Sequence, residues 1–194
     1  GNYRFNEQLE LTGGLRYTYE EKELDYKISD TTFLFTNGSL QDQRDAEDLS
    51  PKIGLNYYFN DDVLLYGGYS KAFKSGGWNV DFISTFDQIS FDDEQVDAYE
   101  LGMKSTLLDG RLRVNTALYQ ANYSDFQVFQ FVPVATGGTI LSITNAAEVT
   151  AKGLEVDVNW AATEHVTLWA GYGYSDSSFD RFRDGGGVGV DYDG

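Results

Sequence analysis

The segment that decides the fold is Thr163-Glu164-His165-Val166-Thr167-Leu168-Trp169-Ala170-Gly171-Tyr172, in which polar residues lead into an alternating stretch. The pattern recurs at residues 60–69, Asn-Asp-Asp-Val-Leu-Leu-Tyr-Gly-Gly-Tyr, and at residues 6–15, Asn-Glu-Gln-Leu-Glu-Leu-Thr-Gly-Gly-Leu. Alternation with a period of two is typical of a β-strand with two different faces, and the polar residues before it are typical of a turn. The chain therefore repeats a turn followed by a strand.

Alignment of the three copies assigns the faces of these strands. The more apolar face contains Leu9, Leu11, Gly13, Leu15, Tyr17, Val63, Leu65, Gly67, Tyr69, Val166, Leu168, Ala170, Tyr172 and Tyr174. The opposite face contains Glu10, Thr12, Gly14, Arg16, Leu64, Tyr66, Gly68, Ser70, Thr167, Trp169, Gly171 and Gly173. We expect the apolar face to meet lipid, or a dry core if the protein is water-soluble.

The same alternation predicts strands along most of the chain. They fall at about 8–22, 50–59, 63–74, 95–108, 111–132, 139–160 and 165–178, with a short strand at 2–5. Tight turns are predicted at 6–7, 60–62, 109–110 and 161–164, long polar loops at 23–49, 75–94 and from 179 onward, and a hairpin cap at 133–138. Short turns at one end and long loops at the other are typical of an outer-membrane β-barrel.

Composition agrees with a barrel and excludes several other classes. The 194 residues contain 15% aromatic side chains, 21 Gly and only 2 Pro, which favours strands and turns. Because there is no Cys, neither a disulfide framework nor a thiolate metal site can form. The net charge of −17 argues against nucleic-acid binding, which needs a basic surface. The apolar runs are too short for a membrane-spanning helix.

Side chains at two heights predict the two membrane–water interfaces. Aromatic residues beside the tight turns mark one, and aromatic residues with one cation, which could reach headgroup phosphates, mark the other. These residues are Tyr57, Phe59 and Trp160 at the first interface and Tyr17, Lys71, Phe73, Tyr123 and Tyr174 at the second. Charged residues that alternate onto the opposite face are expected in the barrel lumen, and they are Glu10, Arg16, Glu100, Lys104, Glu155 and Asp157.

Several segments resemble the barrel of TonB-dependent outer-membrane receptors. They are residues 49–55, Leu-Ser-Pro-Lys-Ile-Gly-Leu, and residues 65–77, Leu-Tyr-Gly-Gly-Tyr-Ser-Lys-Ala-Phe-Lys-Ser-Gly-Gly. Residues 94–104 with the turn at 108–112, and residues 145–157, are similar to the same family, as is Gly14-Leu15-Arg16-Tyr17. The order and spacing of these pieces cover most of the chain.

The resemblance implies a large barrel of about 22 strands, to which residues 1–194 contribute about seven or eight antiparallel strands. It also implies an N-terminal plug domain, active uptake of ferric siderophores or cobalamin-like compounds driven by the TonB complex, and the bacterial outer membrane as the location. Neither the plug, nor the TonB-contacting segment, nor the final barrel strands are visible in the sequence. We therefore expect a partial barrel domain from a longer protein, with outer-membrane lipid, lipopolysaccharide and a siderophore as partners.

Aromatic residues on the long loops are candidates for ligand binding, because exposed rings above a pore could hold an apolar or aromatic compound. The candidates are Trp78, Phe82, Phe86, Phe91, Tyr123, Phe126, Phe129 and Phe131. Packing of the loops against their neighbours is the competing interpretation of these rings. A hydrated barrel interior is likewise the alternative to plug or solute contact for the lumen charges.

No catalytic, cofactor or metal site is predicted. The single His165 lies at a tight turn, and the Asp clusters at 42–48, 61–62 and 180–184 lack the spacing of a calcium loop. An enzyme is therefore not expected. Two alternatives to the receptor remain open, which are a small structural or adhesive outer-membrane barrel and a soluble all-β binding module.

Overall fold

The computed structural model describes residues 1–29, 37–80, 89–133, 138–183 and 191–193. These residues form eleven β-strands, numbered in chain order. The strands are β1 Asn2–Arg4, β2 Leu9–Ile28, β3 Gly38–Asn60, β4 Val63–Lys74, β5 Gly77–Trp78, β6 Ser90–Phe91, β7 Glu94–Leu107, β8 Leu112–Pro133, β9 Thr139–Thr163, β10 Val166–Phe182 and β11 Tyr192–Asp193.

Nine of the strands form one antiparallel sheet in the order β1-β2-β3-β4-β7-β8-β9-β10-β11, and β5 and β6 pair separately. Seven long strands carry the sheet, with the short β1 and β11 at its edges. The predicted antiparallel all-β architecture is confirmed. Within the described ranges, no helix has the length and apolar character needed to cross a bilayer.

The pairing register keeps the apolar residues on one face of the sheet. One row of directly paired residues on this face is Leu11, Leu55, Gly67, Leu101, Leu118, Leu154 and Tyr174. Leu101 and Leu118 near its centre remain 61% and 53% exposed, so the described chain does not cover this face. We call it the outer face and its opposite the polar face. The assignment made from the sequence repeats is confirmed for all three copies.

Connections at the two ends of the sheet differ in length. At one end, tight turns join β3 to β4, β7 to β8 and β9 to β10. The β7–β8 turn uses positive φ at Leu108, Asp109 and Gly110, with values of 55°, 55° and 83°, which lets the chain reverse within a few residues. At the other end, β4 and β7 are joined by residues 75–93, which contain the β5–β6 ribbon.

The predicted loop at 23–49 is wrong, because most of it is strand. β2 runs to Ile28 and β3 starts at Gly38, and the two remain paired from Leu9↔Tyr57 to Ile28↔Gly38 without a register shift. The alternation continues through this region, but with its polarity inverted. Strand β10 also extends to Phe182, beyond the predicted end at 178. Residues 134–137 and 184–190, which belong to the predicted hairpin cap and to the predicted polar loop from 179 onward, lie outside the described residues.

The inversion of polarity marks the edge of the apolar band. On β2 the outer face is apolar up to Tyr17 and Tyr19, and it then carries Glu21, Glu23 and Asp25. The polar face changes in the opposite sense, with half-buried Leu24, Tyr26, Ile28 and Leu40 and with buried Ala46. An outer face that leaves lipid must become hydrophilic, because it then meets water. The β2–β3 hairpin therefore stands about 20 Å above the band, at about 2.4 Å of height per residue.

Candidate ligand-binding site

Seven of the eight residues predicted at the membrane interfaces lie on the outer face. The register places Tyr57 and Trp160 on it near the tight turns, and Tyr17 and Tyr174 near the opposite end. Strand alternation puts the remaining three on the same face, and they are Phe59, Lys71 and Phe73. Their contact with lipid headgroups stays a prediction. The prediction for Tyr123 is wrong, because strand alternation and its pairing with Val149 put it on the polar face.

The six predicted lumen charges all lie on the polar face, where several have protein partners. Glu10 receives a hydrogen bond from Asn56 Nδ2 at 3.3 Å and forms an ion pair with Arg4 at 3.4 Å. The ammonium of Lys104 lies 5.5 Å from the centre of the Tyr66 ring. The six residues are Glu10, Arg16, Glu100, Lys104, Glu155 and Asp157. They form a charged polar face, and whether they contact a plug, a solute or water stays a prediction.

Two tyrosines of the polar face cover glycines on neighbouring strands. A Cβ built on Gly102 would collide with the Tyr66 ring and lie 2.6 Å from a backbone carbonyl oxygen. Likewise, a Cβ on Gly153 would lie 2.5 Å from the ring and hydroxyl of Tyr119. Tyr119 Oη also donates to Ser175 Oγ at 3.1 Å. Each ring therefore covers the backbone of a glycine on the neighbouring strand.

An aromatic pocket opens on the polar face above the apolar band. Tyr123 and Phe126 of β8 pack edge to face at 5.5 Å, and Phe179 of β10 lies across β9 from them. Val149 and Ala151 of β9 form the floor of this cavity of about 340 Å³. Phe179 is 48% exposed and stacks at 4.9 Å on Phe182, which extends the aromatic surface towards β11. Such a surface can hold a planar or apolar group.

The structure separates the ligand candidates that were predicted from sequence. Tyr123 and Phe126 lie in the aromatic pocket, whereas Phe129 and Phe131 stand on the β8–β9 hairpin with 70% and 56% exposure. Trp78 and Phe91 belong to the β5–β6 ribbon, and both residues are half-buried. Phe82 and Phe86 lie outside the described residues. Whether any of these rings contacts a ligand stays a prediction.

Sequence reasoning missed Phe179 and Phe182 as parts of an aromatic surface. Both follow residue 178, where the predicted strand ended, and the pocket gathers residues from three strands. A signal was present, because the alternation of β10 continues through Ser175, Ser177 and Phe179 on the polar face.

The acidic residues at 42–48 do not form one cluster. Asp42 and Asp48 lie on the polar face, where Asp42 accepts from Trp78 Nε1 at 2.7 Å and Asp48 accepts from Ser50 Oγ at 2.5 Å. Asp45 lies on the outer face, paired with Glu21. Among the residues whose placement is described, no group of three or more His, Cys, Asp or Glu side chains could hold a metal ion.

Comparison with known proteins gives a consistent result. The profile of the family described as TonB dependent receptor-like, beta-barrel matches residues 1–194. The metal-pseudopaline receptor CntO of Pseudomonas aeruginosa is 29% identical over 178 residues, 91% of this chain and 23% of that protein. The ferric-pyoverdine BN7/BN8 receptor of Pseudomonas putida is 29% identical over 126 residues, 64% of this chain and 14% of that protein.

Solved structures show the same fold. The ferric yersiniabactin uptake receptor FyuA from Yersinia pestis aligns with a TM-score of 0.76 at 17% identity, over 92% of this chain and 26% of that one. The siderophore receptor PiuA from Acinetobacter baumannii aligns with a TM-score of 0.69 at 19% identity, over 96% and 25%. The chain thus spans about a quarter or less of the length of the proteins that it matches.

Proposed function

We propose that this chain, which belongs to the family of TonB-dependent receptor-like β-barrels, forms part of the wall of a receptor that takes up ferric siderophores or related metal complexes. Proteins of this family reside in the bacterial outer membrane, and the uncovered apolar face fits that location. The proteins that it resembles include receptors for metal–pseudopaline, ferric pyoverdine and ferric yersiniabactin. These names support the compound class for this chain.

The remaining parts of the machinery belong to the same proposal. A plug domain and further barrel strands would complete the receptor, and the TonB complex would contact it through an N-terminal region outside these residues. Outer-membrane lipid and lipopolysaccharide would cover the outer face. The role is transport, without catalysis.

The observation that carries the proposal is the aromatic pocket of Tyr123, Phe126 and Phe179, because it combines three properties. It lies on the polar face, above the apolar band, and on the side of the long hairpins. A compound arriving from outside would meet this surface before reaching the polar wall lower down. Phe179 is the ring that offers most free surface, since it is about half exposed.

Binding measurements on the intact receptor test the proposal. Outer membranes containing it are incubated with ferric pyoverdine, ferric yersiniabactin, a metal complex of pseudopaline and ferrichrome, for which a transporter of Escherichia coli is 24% identical over 169 residues, and bound metal is counted. We expect at least one complex to bind, and we expect Phe179→Ala to weaken that binding about tenfold, as for the loss of one ring contact worth about 1.4 kcal/mol. Binding of none of the four would contradict the proposed compound class.

Trp169→Ala provides the matched control. Trp169 is also an aromatic residue on the polar face of β10, but it lies near the tight turn and is 77% exposed. We expect this variant to keep the affinity of the unchanged receptor. Equal losses in the Phe179 and Trp169 variants would show that the aromatic pocket is not the ligand contact.

The two alternatives receive less support. A soluble all-β module would bury its apolar rows, yet the outer face of the described strands is uncovered. A small structural barrel would not explain why residues 1–194 match the barrel of TonB-dependent receptors over their whole length.

A further inference from the structure

The wall has a notch above the apolar band. Strands β4 and β7 end at Lys74 and Glu94, whereas their neighbours β3 and β8 continue to Gly38 and Pro133. In the sheet order, β3 and β8 are separated by β4 and β7. With neighbouring strands about 4.8 Å apart, the gap between the two tall hairpins is about 14 Å wide.

Two short arms of the β4–β7 connection, residues 75–80 and 89–93, lie across this notch, and we call them the strap. They pair as an antiparallel ribbon through Gly77↔Phe91 and Trp78↔Ser90. The ribbon continues with a hydrogen bond from Asn79 N to Ile89 O at 2.6 Å. Ile89 is buried, at 4% exposure.

Arg44 of β3 fastens the strap on one side. Its guanidinium donates to Phe91 O at 2.8 Å and to Asp93 Oδ1 at 3.0 Å, and it lies 3.4 Å from Asp92 Oδ1. The side chain is only 20% exposed. The fit is close, because a Cβ built on Gly76 would lie 2.7 Å from the guanidinium carbon. A fork with several donors can hold a backbone carbonyl and a carboxylate together.

Other polar-face residues of the β2–β3 hairpin add to this fastening. Lys22 Nζ donates to Ser75 Oγ at 2.6 Å and to Gly76 O at 2.8 Å. A hydrogen bond with Ser75 lowers the pKa of Glu20, which also pairs with Lys22 at 3.3 Å. Trp78 Nε1 donates to Asp42 at 2.7 Å, and Tyr26 Oη donates to Val80 O at 2.7 Å. The strap therefore lies on the lumen side of this hairpin.

The β8–β9 hairpin holds the other side of the strap. Asn79 pairs with the edge of β9 as a strand would, since its Oδ1 accepts from Ile143 N at 2.7 Å and its Nδ2 donates to Ile143 O at 2.9 Å. Asn145 makes a similar pair with the backbone of Asp92, at 2.6 and 2.8 Å. Gln127 Nε2 donates to Asp92 O at 3.0 Å. Both tall hairpins are thus bonded to one ribbon.

We propose that the strap seals the notch and joins the β2–β3 and β8–β9 hairpins into one rigid extracellular wall, with Arg44 as its positioning residue. About half of the fastening bonds end on backbone atoms of the strap, such as Phe91 O, Gly76 O and the peptide groups of Asp92. The anchors on the hairpins therefore decide whether the strap stays in place. This inference does not depend on the identity of the transported compound.

Distance measurements between spin labels test the proposal. Because residues 1–194 contain no Cys, cysteine pairs can be introduced without removing others from this segment. One label at the exposed Ser90 and one at the exposed Asp45 report on the strap and its anchor hairpin. A second pair, Asp45 and Phe129, spans the notch. In the intact receptor in lipid nanodiscs, we expect one narrow distance distribution for each pair.

Variants at the anchors give the decisive comparison. Arg44→Gln should widen the Ser90–Asp45 distance distribution at least twofold. Arg44→Lys keeps the positive charge near Asp93, so its distribution should be narrower than that of Arg44→Gln and wider than that of the unchanged receptor. Lys52→Gln removes a cation from the same face of the same strand nearer the tight turn, and it should change nothing. If Arg44→Gln prevents folding, Asn79→Ala serves instead, with a widened Asp45–Phe129 distribution expected. Broad distributions in the unchanged receptor, or narrow ones in the anchor variants, would overturn the proposal.

Discussion

Introducing arginine on the two faces of one strand should have very different costs. Thr116 and Asn115 are neighbours on β8, both small and uncharged, and they lie on the outer face and the polar face. At about 2.4 Å of height per residue, Thr116 lies about 10 Å from Leu112 at the turn end and about 10 Å from Gln120 at the other end. It is therefore near the middle of the apolar band.

The depth of Thr116 sets the expected magnitude. An arginine on the lipid face of a barrel costs about 2–4 kcal/mol at the midplane and about 0–1 kcal/mol near the interfaces. Thr116→Arg should accordingly reduce the folding equilibrium constant about 30- to 900-fold. Asn115→Arg should stay within about 0.5 kcal/mol of the unchanged protein, because the new cation lies in a hydrated interior between Asp157 and Lys104.

Urea titration of the receptor folded into phospholipid vesicles, followed by tryptophan fluorescence, measures both free energies of unfolding. The difference between the two variants is the informative quantity, since incoming side chain, strand and height are matched. Equal costs for Thr116→Arg and Asn115→Arg would refute the assignment of the outer face to lipid. A larger loss of stability for Asn115→Arg than for Thr116→Arg would show that the face of Asn115, and not the face of Thr116, meets lipid.

Two further substitutions test the packing of the polar face. Gly102→Ala should destabilise the fold by about 1–3 kcal/mol in the same titration, because the new Cβ would lie 2.6 Å from the Thr116 carbonyl oxygen. Gly13→Ala is the control. A Cβ at Gly13 would meet nothing within 4 Å, so this variant should change the free energy of unfolding by less than about 0.5 kcal/mol. Tyr119→Phe removes the hydrogen bond to Ser175 and should cost about 0.5–1 kcal/mol, and an unchanged stability would show that this bond contributes nothing.

Alternation alone was sufficient to predict the two faces of the sheet. The apolar residues of strands β2, β4 and β10 were aligned from three turn–strand repeats, and the register brings those residues onto one face. The prediction succeeded because side chains alternate along a strand, so one repeat fixes the face of the residues that follow it as far as the next β-bulge, such as the one between Tyr123 and Phe126. The turns at 60–62 and 109–110 were equally readable from their Asp and Gly residues.

The height of the β2–β3 hairpin was missed for a physical reason. The segment Glu23-Leu24-Asp25-Tyr26-Lys27-Ile28 alternates as regularly as the membrane part, but its apolar residues are on the other face. The strand was predicted from the apolar residues of one face, and these end where the strand leaves the lipid. Inverted alternation directly after an aromatic girdle is the signal that would have extended the strand.

The aromatic pocket and the strap could not be predicted from sequence in detail. The pocket could be predicted only from the relative register of β8, β9 and β10. Phe126 and Phe179 lie on strands that are separated by β9, and both strands pair with it. The strap is held chiefly by side chains that bond to backbone atoms, as Asn79 does with Ile143. Such bonds leave no complementary residue on the partner segment, so no pattern in the sequence indicates them.

Collision accessibility of spin labels along β8 tests the central claim most directly. Positions 112–122 are replaced one at a time by labelled cysteine in the intact receptor in a bilayer, and collisions with oxygen and with a water-soluble nickel chelate are measured. We predict high oxygen accessibility at even-numbered positions from Leu112 to Leu118 and low oxygen accessibility at odd-numbered ones, with the oxygen signal decreasing towards Gln120 and Asn122. Oxygen maxima at the odd positions, or no period of two, would contradict a wall whose apolar face meets lipid.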